Sequence, residues 1–289
     1  MKITVSLRHE IRTLRGGVGA SWHAISDGVR DGGAGSAWGG NPPAADAARW
    51  EEIYRLADWL GMGWVRAEVE QRSYQPDRER FTWESDDMRA LRRILDWCES
   101  RGADVMLQQM WGNVEWNRYP DVDALHSAPR DLEAYAEGIA ALAEKVMRDW
   151  GYGCVKWICI NNEPGCDFSW WQGPGNKPLP IAPGLRATRA TLDRRGIAIP
   201  LVGPDYTGLG WKVDAIDFDD AVGAYDLHTH LDEFKLMPPG MSAPEQNLKA
   251  WVDHANAQGK PLFLTEIGSM HYGWYTDSPA PGGYLANLK

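Results

Sequence analysis

Positive charge is scarce in this chain: 30 lysines and arginines stand against 40 aspartates and glutamates, a formal net charge of −10. A polyanion such as nucleic acid needs a clustered basic face, so this balance excludes that class of partner and favours a neutral one. Long apolar runs are missing too. No stretch approaches the roughly 20 apolar residues that cross a bilayer, so no membrane partner is expected. The opening MKITVSLRHEIRTLRGG has no apolar run of signal-peptide length, and with Met1 as the natural start the expected location is the cytoplasm. Cysteine is rare, with four in 289 residues, and Cys98, Cys154, Cys159 and Cys166 show no CxxC spacing. Buried, reduced thiols are expected rather than metal ligands or disulfides, and no cofactor is expected.

What is present is material for one large core: 289 residues, 44% of them hydrophobic, the size at which a single α/β barrel domain spanning 1–289 is expected. The chain repeats amphipathic helix, glycine stop and buried strand. Trp50, Ile53, Tyr54, Ala57 and Leu60 mark a helix stopped at Gly61 and Gly63 before WVRAEVE (64–70). Met88, Leu91, Leu95 and Cys98 mark a second, stopped at Gly102 before ADVMLQQMW (103–111). A third, with Ser127 and Pro129 as start signals and Leu132 to Trp150 on its face, leads into CVKWICINNEP (154–164). A weaker helix around Leu185 and Leu192 precedes IPLVGPDY (199–206), and AYDLHTHL (224–231) follows a loop. A capping box, Ser242 with Glu245, opens a last helix before PLFLTEIG (261–268). With GGVGASWHAI (16–25) as the first, these make seven strands in βα order; an eighth is not evident. The fold class is a TIM (β/α)₈-type barrel that is degenerate or truncated at its eighth strand.

Barrel chemistry gathers at the C-terminal ends of the strands, and glycosidic hydrolysis needs two carboxyl groups facing each other across the sugar. Glu163 ends VKWICIN and Glu266 ends PLFLT, on the fourth and seventh strands, so both point to one rim. A pattern of Asn162-Glu163-Pro164 ending the fourth strand and Thr265-Glu266-Ile267-Gly268 ending the seventh resembles clan A glycoside hydrolases, the (β/α)₈ group that includes the family 5 cellulases. The resemblance implies Glu163 as acid/base and Glu266 as nucleophile of a retaining glycosidase. It also implies that Arg66, on the second strand, bonds the nucleophile and that Asn162 donates to the sugar 2-hydroxyl. Independently, a buried guanidinium demands an acidic partner, and Glu68 and Glu70 on the same strand compete with Glu266 for it.

His228 and His230 lie two apart on the sixth strand and so point the same way, inward in a barrel. Zinc is one reading of that pair, but without an evident third ligand no metal is expected, and hydrogen bonding to glutamates and sugar hydroxyls is simpler. His230 stands where many clan members carry the tyrosine that holds the nucleophile.

Sixteen tryptophans complete the pattern. Trp50, Trp59, Trp97, Trp150 and Trp251 fall on helix faces and read as core. Trp22 and His23, Trp111 and Trp116, Trp170 and Trp171, Trp211 and Trp274 fall at strand ends on the rim, where indole can stack on the apolar faces of sugar rings. Asn113, Asn117 and Asp205 are the expected polar neighbours of sugar hydroxyls. The expected substrate is an oligo- or polysaccharide with β-glycosidic or α-L-arabinosidic bonds. A non-catalytic carbohydrate-binding protein on a decayed barrel, or a transglycosylase, are the other readings.

Overall fold

Near-continuous apolar strands separated by amphipathic helices leave a parallel sheet covered on its outer face, and that arrangement is what forms. The computed structural model describes residues 18–25, 41–165, 169–207, 213, 216–230 and 243–268, with the backbone alone at 229, 230, 243–245 and 268. Seven strands lie side by side in chain order, all pairings parallel: β1 (Gly19–His23), β2 (Trp64–Val69), β3 (Asp104–Gln109), β4 (Val155–Cys159), β5 (Leu201–Tyr206), β6 (Ala224–His230) and β7 (Leu262–Gly268). Each falls inside its predicted stretch. Among the described residues no eighth strand joins β7 to β1. The connecting helices are α1 (Ala47–Leu60), α2 (Asp86–Arg101), α3 (Leu132–Glu144), α4 (Ala182–Arg194) and α5 (Ala243–Gln258). None is long and apolar enough to cross a membrane.

Helix ends follow the capping chemistry of their sequence. Asp46 and Ser85 cap α1 and α2 by accepting from Arg49 N and Met88 N, and Gly61 and Gly102 close them in the left-handed conformation that favours glycine. The start of α3 is not Ser127 or Pro129. Asp131 caps it, accepting from Ala134 N, because its carboxylate meets the free first-turn donors while Ser127 is engaged by Tyr119 N. The Ser242 capping box lies outside the described residues.

On α1 the expected core face is only partly buried. Trp59 is 81% exposed and Leu60 60% exposed, and only Trp50 and Ala57 of this helix are buried. At about 100° per residue, Trp59 stands half a turn away from Trp50 and faces solvent.

Packing divides into two layers. Val65, Ala67 and Val69 of β2 point outward and join Leu91, Ile94, Ile139 and Leu185 of the helices in the larger core. Inside the barrel, Met106, Cys159, Val202 and Ala224 are sealed below by Trp64, Trp157 and Phe263. These rings touch edge to face or tilted, with centroids 5.3 and 6.0 Å apart. Above this apolar floor, one step further along each strand, the interior turns polar. Cys98, Cys154 and Cys159 are buried free thiols, and burial pushes the Cys98 thiol up to about 12; Cys166 lies outside the described residues.

Candidate active site

Alternation along β2 sends Arg66 and Glu68 into the barrel while their neighbours face the helices. Arg66 is fully buried, and each of its five N–H groups meets an acceptor. Nε donates to Gln108 Oε1 (3.3 Å), Nη1 to Glu68 Oε1 (2.5 Å) and Glu266 Oε1 (2.7 Å), and Nη2 to Asn162 Oδ1 (2.8 Å) and Asp205 Oδ2 (3.1 Å). Burial alone disfavours the cation, but Asp205, Glu68 and Glu266 together outweigh it and hold the guanidinium ionised far above its usual range. The expected partners Glu68 and Glu266 therefore both bind Arg66; Glu70 instead pairs with Arg72 and accepts from Asn113 Nδ2.

His228, fully buried on β6, lies between three carboxylates. Its Nδ1 donates to Glu163 Oε1 (2.8 Å) and lies 3.5 Å from Glu266 Oε2, while Nε2 donates to Asp205 Oδ1 (2.9 Å). Two donor nitrogens define an imidazolium. Burial, the largest influence, opposes that charge, but Asp205 by charge and hydrogen bond, then Glu163 and Glu266, push His228 up to about 10. Asp205 moves the other way: burial raises it, but His228 and Arg66 more than compensate and hold it well below the usual carboxylate range. Asp226, below them, is pushed well above the usual carboxylate range by burial and by the charge of Asp205.

β4 ends at Cys159, so Glu163 sits four residues past the strand, in a turn anchored by Asn162 N donating to Met110 O (3.2 Å). Glu163, Asn113 and Asp205 adopt φ of +44°, +49° and +57°, the left-handed region that side chains avoid. Asp and Asn tolerate this region; for glutamate it is a local strain held by the surroundings, a condition that concentrates at functional sites. Glu163 and Glu266 remain partly exposed, and a carboxylate oxygen of each, with a nitrogen of His228, lies within 4.8 Å of the others.

Among the described residues, two sets of side chains have the proximity to hold a metal ion, Glu163–His228–Glu266 and Cys159–Asp205–Asp226. Their chemistry is unsuited. Both nitrogens of His228 are committed to carboxylates, and burial pushes the Cys159 thiol and the Asp226 carboxyl well above their usual ranges, which opposes the deprotonated ligands a metal needs.

The rim aromatics divide sharply. Trp22 is not at the rim: it packs outward against Trp50, Tyr54 and Trp97, with centroids 5.9–6.5 Å away, because alternation on β1 turns it to the helix layer. Its neighbour His23 therefore points inward and pairs with Glu68 rather than standing free for sugar. Trp171 is buried in contact with Tyr135, its Nε1 donating to Pro180 O, and Trp111 is buried beneath Trp170. Trp170, half-buried, keeps open surface over Trp111 and stacks on His126 at 4.6 Å. Trp116 donates to Gln75 O, and Asn117 is buried, holding the Asp131 backbone. Asp205 is not a sugar contact: it is fully buried and both of its oxygens are engaged by protein donors. The His230 side chain, Trp211 and Trp274 lie outside the described residues.

Sequence reasoning missed Gln108, Thr265 and His126. The first two carried a signal, since an amide and a hydroxyl inside otherwise apolar strands must find partners. Both bond Asp205. His126, in a loop, carried none.

The model of the cellulase family, glycosyl hydrolase family 5, matches residues 28–281. Among solved structures, an endo-beta-1,4-glucanase from Xanthomonas axonopodis pv. citri is 15% identical, with 79% of this chain and 70% of that one covered and a TM-score of 0.54. Endo-glycoceramidase II from Rhodococcus sp. is 16% identical over 93% of this chain and 68% of its own, TM-score 0.59. A monomeric beta-xylosidase from Caulobacter crescentus CB15 is 16% identical over 80% and 50%, TM-score 0.53. At these identities the structural likeness speaks for the barrel alone. No curated protein matches the sequence.

Proposed function

Because the chain belongs to glycosyl hydrolase family 5 and is a glycosidase, we propose that it cleaves β-glycosidic or α-L-arabinosidic bonds of an oligo- or polysaccharide with retention of configuration, Glu266 as nucleophile and Glu163 as acid/base. The observation that carries this reading is the spacing of the two glutamates, an oxygen of each within 4.8 Å of the other across His228. Retaining enzymes hold their carboxyl groups about 5–5.5 Å apart and inverting ones about 6.5–9.5 Å, to admit a water.

In this mechanism Arg66 aims Glu266 by hydrogen bond, and the carboxylate attacks the anomeric carbon as Glu163 gives its proton to the leaving oxygen. Water, deprotonated by Glu163, then releases the sugar from Glu266. His228 donates to Glu163 and approaches Glu266, so it stabilises whichever carboxylate is ionised. Asn162 has its carbonyl fixed by Arg66, which leaves Nδ2 to donate to the sugar 2-hydroxyl. Trp170 with His126 offers a stacking platform beside the loop that carries Glu163. The names of the solved relatives, a β-1,4-glucanase and a β-xylosidase, accord with a β bond.

A panel of aryl glycosides with wild type, Glu266→Ala and Glu163→Ala tests the assignment. Both variants should lose activity, Glu163→Ala by roughly 10²–10⁴-fold on poor leaving groups. Azide should restore turnover in each, giving inverted glycosyl azide from Glu266→Ala and retained azide from Glu163→Ala. Wild-type activity in Glu266→Ala would overturn the reading.

A further inference from the structure

Among the described residues, Asp205 is the one carboxylate in the barrel that touches both cations and neither reacting centre. One oxygen, Oδ1, accepts from His228 Nε2 (2.9 Å) and Thr265 Oγ1 (3.2 Å), while Oδ2 accepts from Arg66 Nη2 (3.1 Å) and Gln108 Nε2 (3.3 Å). Arg66 in turn holds Glu266, and His228 holds Glu163. The residue owes this position to its own backbone. A register shift between Pro204 and Tyr206 and the positive φ at Asp205 turn its side chain into the barrel, where Asp226 Oδ1 accepts from its N–H (2.7 Å).

We propose that Asp205 is a positioning residue for the glycosidase reaction: its two oxygens tie Arg66 and His228 into one rigid unit, so that the nucleophile and the acid/base share a single buried anchor. This rests on the roles proposed above for Glu163 and Glu266. The physical reason for a carboxylate, and not an amide, is that both of its oxygens must accept. In the Asp205→Asn variant one of the two oxygens becomes an NH₂ group, which meets a donor on either the side of Arg66 and Gln108 or the side of His228 and Thr265. Whichever side breaks, one of the two catalytic carboxyls loses its support.

The anchor also has an electrostatic consequence. Facing His228 and Asp205 are Arg66 and Glu68 from β2, Cys159 from β4, Glu163 beyond it, Asp226 on β6 and Glu266 on β7, with His23 behind Glu68. Burial disfavours the imidazolium, and Asp205 is the leading influence that sustains it. Without Asp205 the imidazolium between Glu163 and Glu266 loses its leading support, and with it the positive charge beside both carboxylates weakens.

The Asp205→Asn variant tests this through quantities that loss of packing alone does not move. The expected result is a folded protein with KM within about twofold of wild type, since Asp205 touches no sugar, and kcat lower by roughly 10²-fold. Both limbs of the kcat/KM–pH profile should move to higher pH by about one pH unit. His228→Gln should move the limbs the same way, and the double variant should add little, because Asp205 acts on Glu163 through His228. Nitrogen-15 spectra of wild type should show His228 with both ring nitrogens protonated through about pH 8, a measurement that stands even if the variant fails to fold. A wild-type His228 that titrates near its ordinary value of 6.5, or an Asp205→Asn variant with reduced kcat and unmoved limbs, would overturn the proposal. Failure of the underlying reading is distinct: it shows as activity retained in Glu163→Ala and Glu266→Ala, whatever His228 does.

Discussion

A guanidinium taken out of water stays charged only if every N–H it exposes is met, and Arg66 achieves this with five acceptors from four strands and the turn after β4. Lysine in its place keeps the charge but offers three donors, so Arg66→Lys leaves at least two buried acceptors unmet. The expected loss is about 3–5 kcal/mol of stability, read by urea denaturation, with activity falling alongside. Asp226 gives a prediction of opposite sign. Its folded-state proton affinity is raised, so the folded chain holds a proton that the unfolded chain releases above its ordinary value of 3.8, and stability falls as pH rises past that point. Asp226→Asn removes the titration and should raise the melting temperature relative to wild type at about pH 8, while the difference shrinks towards about pH 4. His228 acts in the same direction. Raised from 6.5 to about 10, it contributes stability that is complete below 6.5 and is lost as pH climbs through 10. Asp205, lowered, contributes above 3.8 and loses it below. A melting-temperature profile should therefore peak on the weakly acidic side. At this scale the sequence was legible where a charge had one possible environment: Glu163, Glu266 and Arg66 fall on strands whose direction the apolar pattern reveals. Asp205 escapes the pattern because alternation breaks at a register shift between Pro204 and Tyr206, and no local pattern announces a bulge.

Element by element, the predicted order of strands and helices matches the structure because each strand carries an apolar outer face and glycines at 61, 102, 196 and 259 follow α1, α2, α4 and α5. The errors have physical causes. Helical spacing puts Trp59 in the core, yet α1 is barely amphipathic at its C-terminal end, where Leu56, Trp59 and Leu60 all reach solvent. Trp22 and His23 both lie at the end of β1, but on a strand a single step changes the face, so only His23 turns inward. The loop after Glu163 shows how a helix supports the rim. Gly184 in α4 leaves no room for a methyl group: a Cβ there would lie 2.8 Å from the Trp171 ring and 3.3 Å from Ile160. Alanine is the better helix former by about 1 kcal/mol, but overpacking costs roughly 1–3 kcal/mol. Crowding wins where the neighbour is a buried indole. Gly184→Ala should destabilise the protein in urea denaturation, and by displacing Trp171 it should lower kcat as well; a stabilised variant would mean that the ring can step aside.

For the molecule as a whole, the interior layers imply an order of local stability. Amides of β2 and β3, flanked on both sides by strands and backed by α2, should exchange with solvent only through global unfolding. Those of β1 and β7, each paired on one side among the described residues, should exchange sooner. Hydrogen exchange read by mass spectrometry on peptides covering 64–69 and 104–109 against 19–23 and 262–268 checks this; equal protection in the two sets would contradict it. The full donor set of Arg66 has a further consequence for how such an enzyme can change. Every bond it makes is internal, so the arginine has nothing left to offer a substrate and places no demand on which sugar arrives. Selectivity is thereby relegated to the rim, to loops such as the one bearing Trp170, while the interior stays constant. Exchange of those loops between barrels of this kind should alter what is cut without altering how, and variation at Arg66 should alter how without ever yielding a new preference.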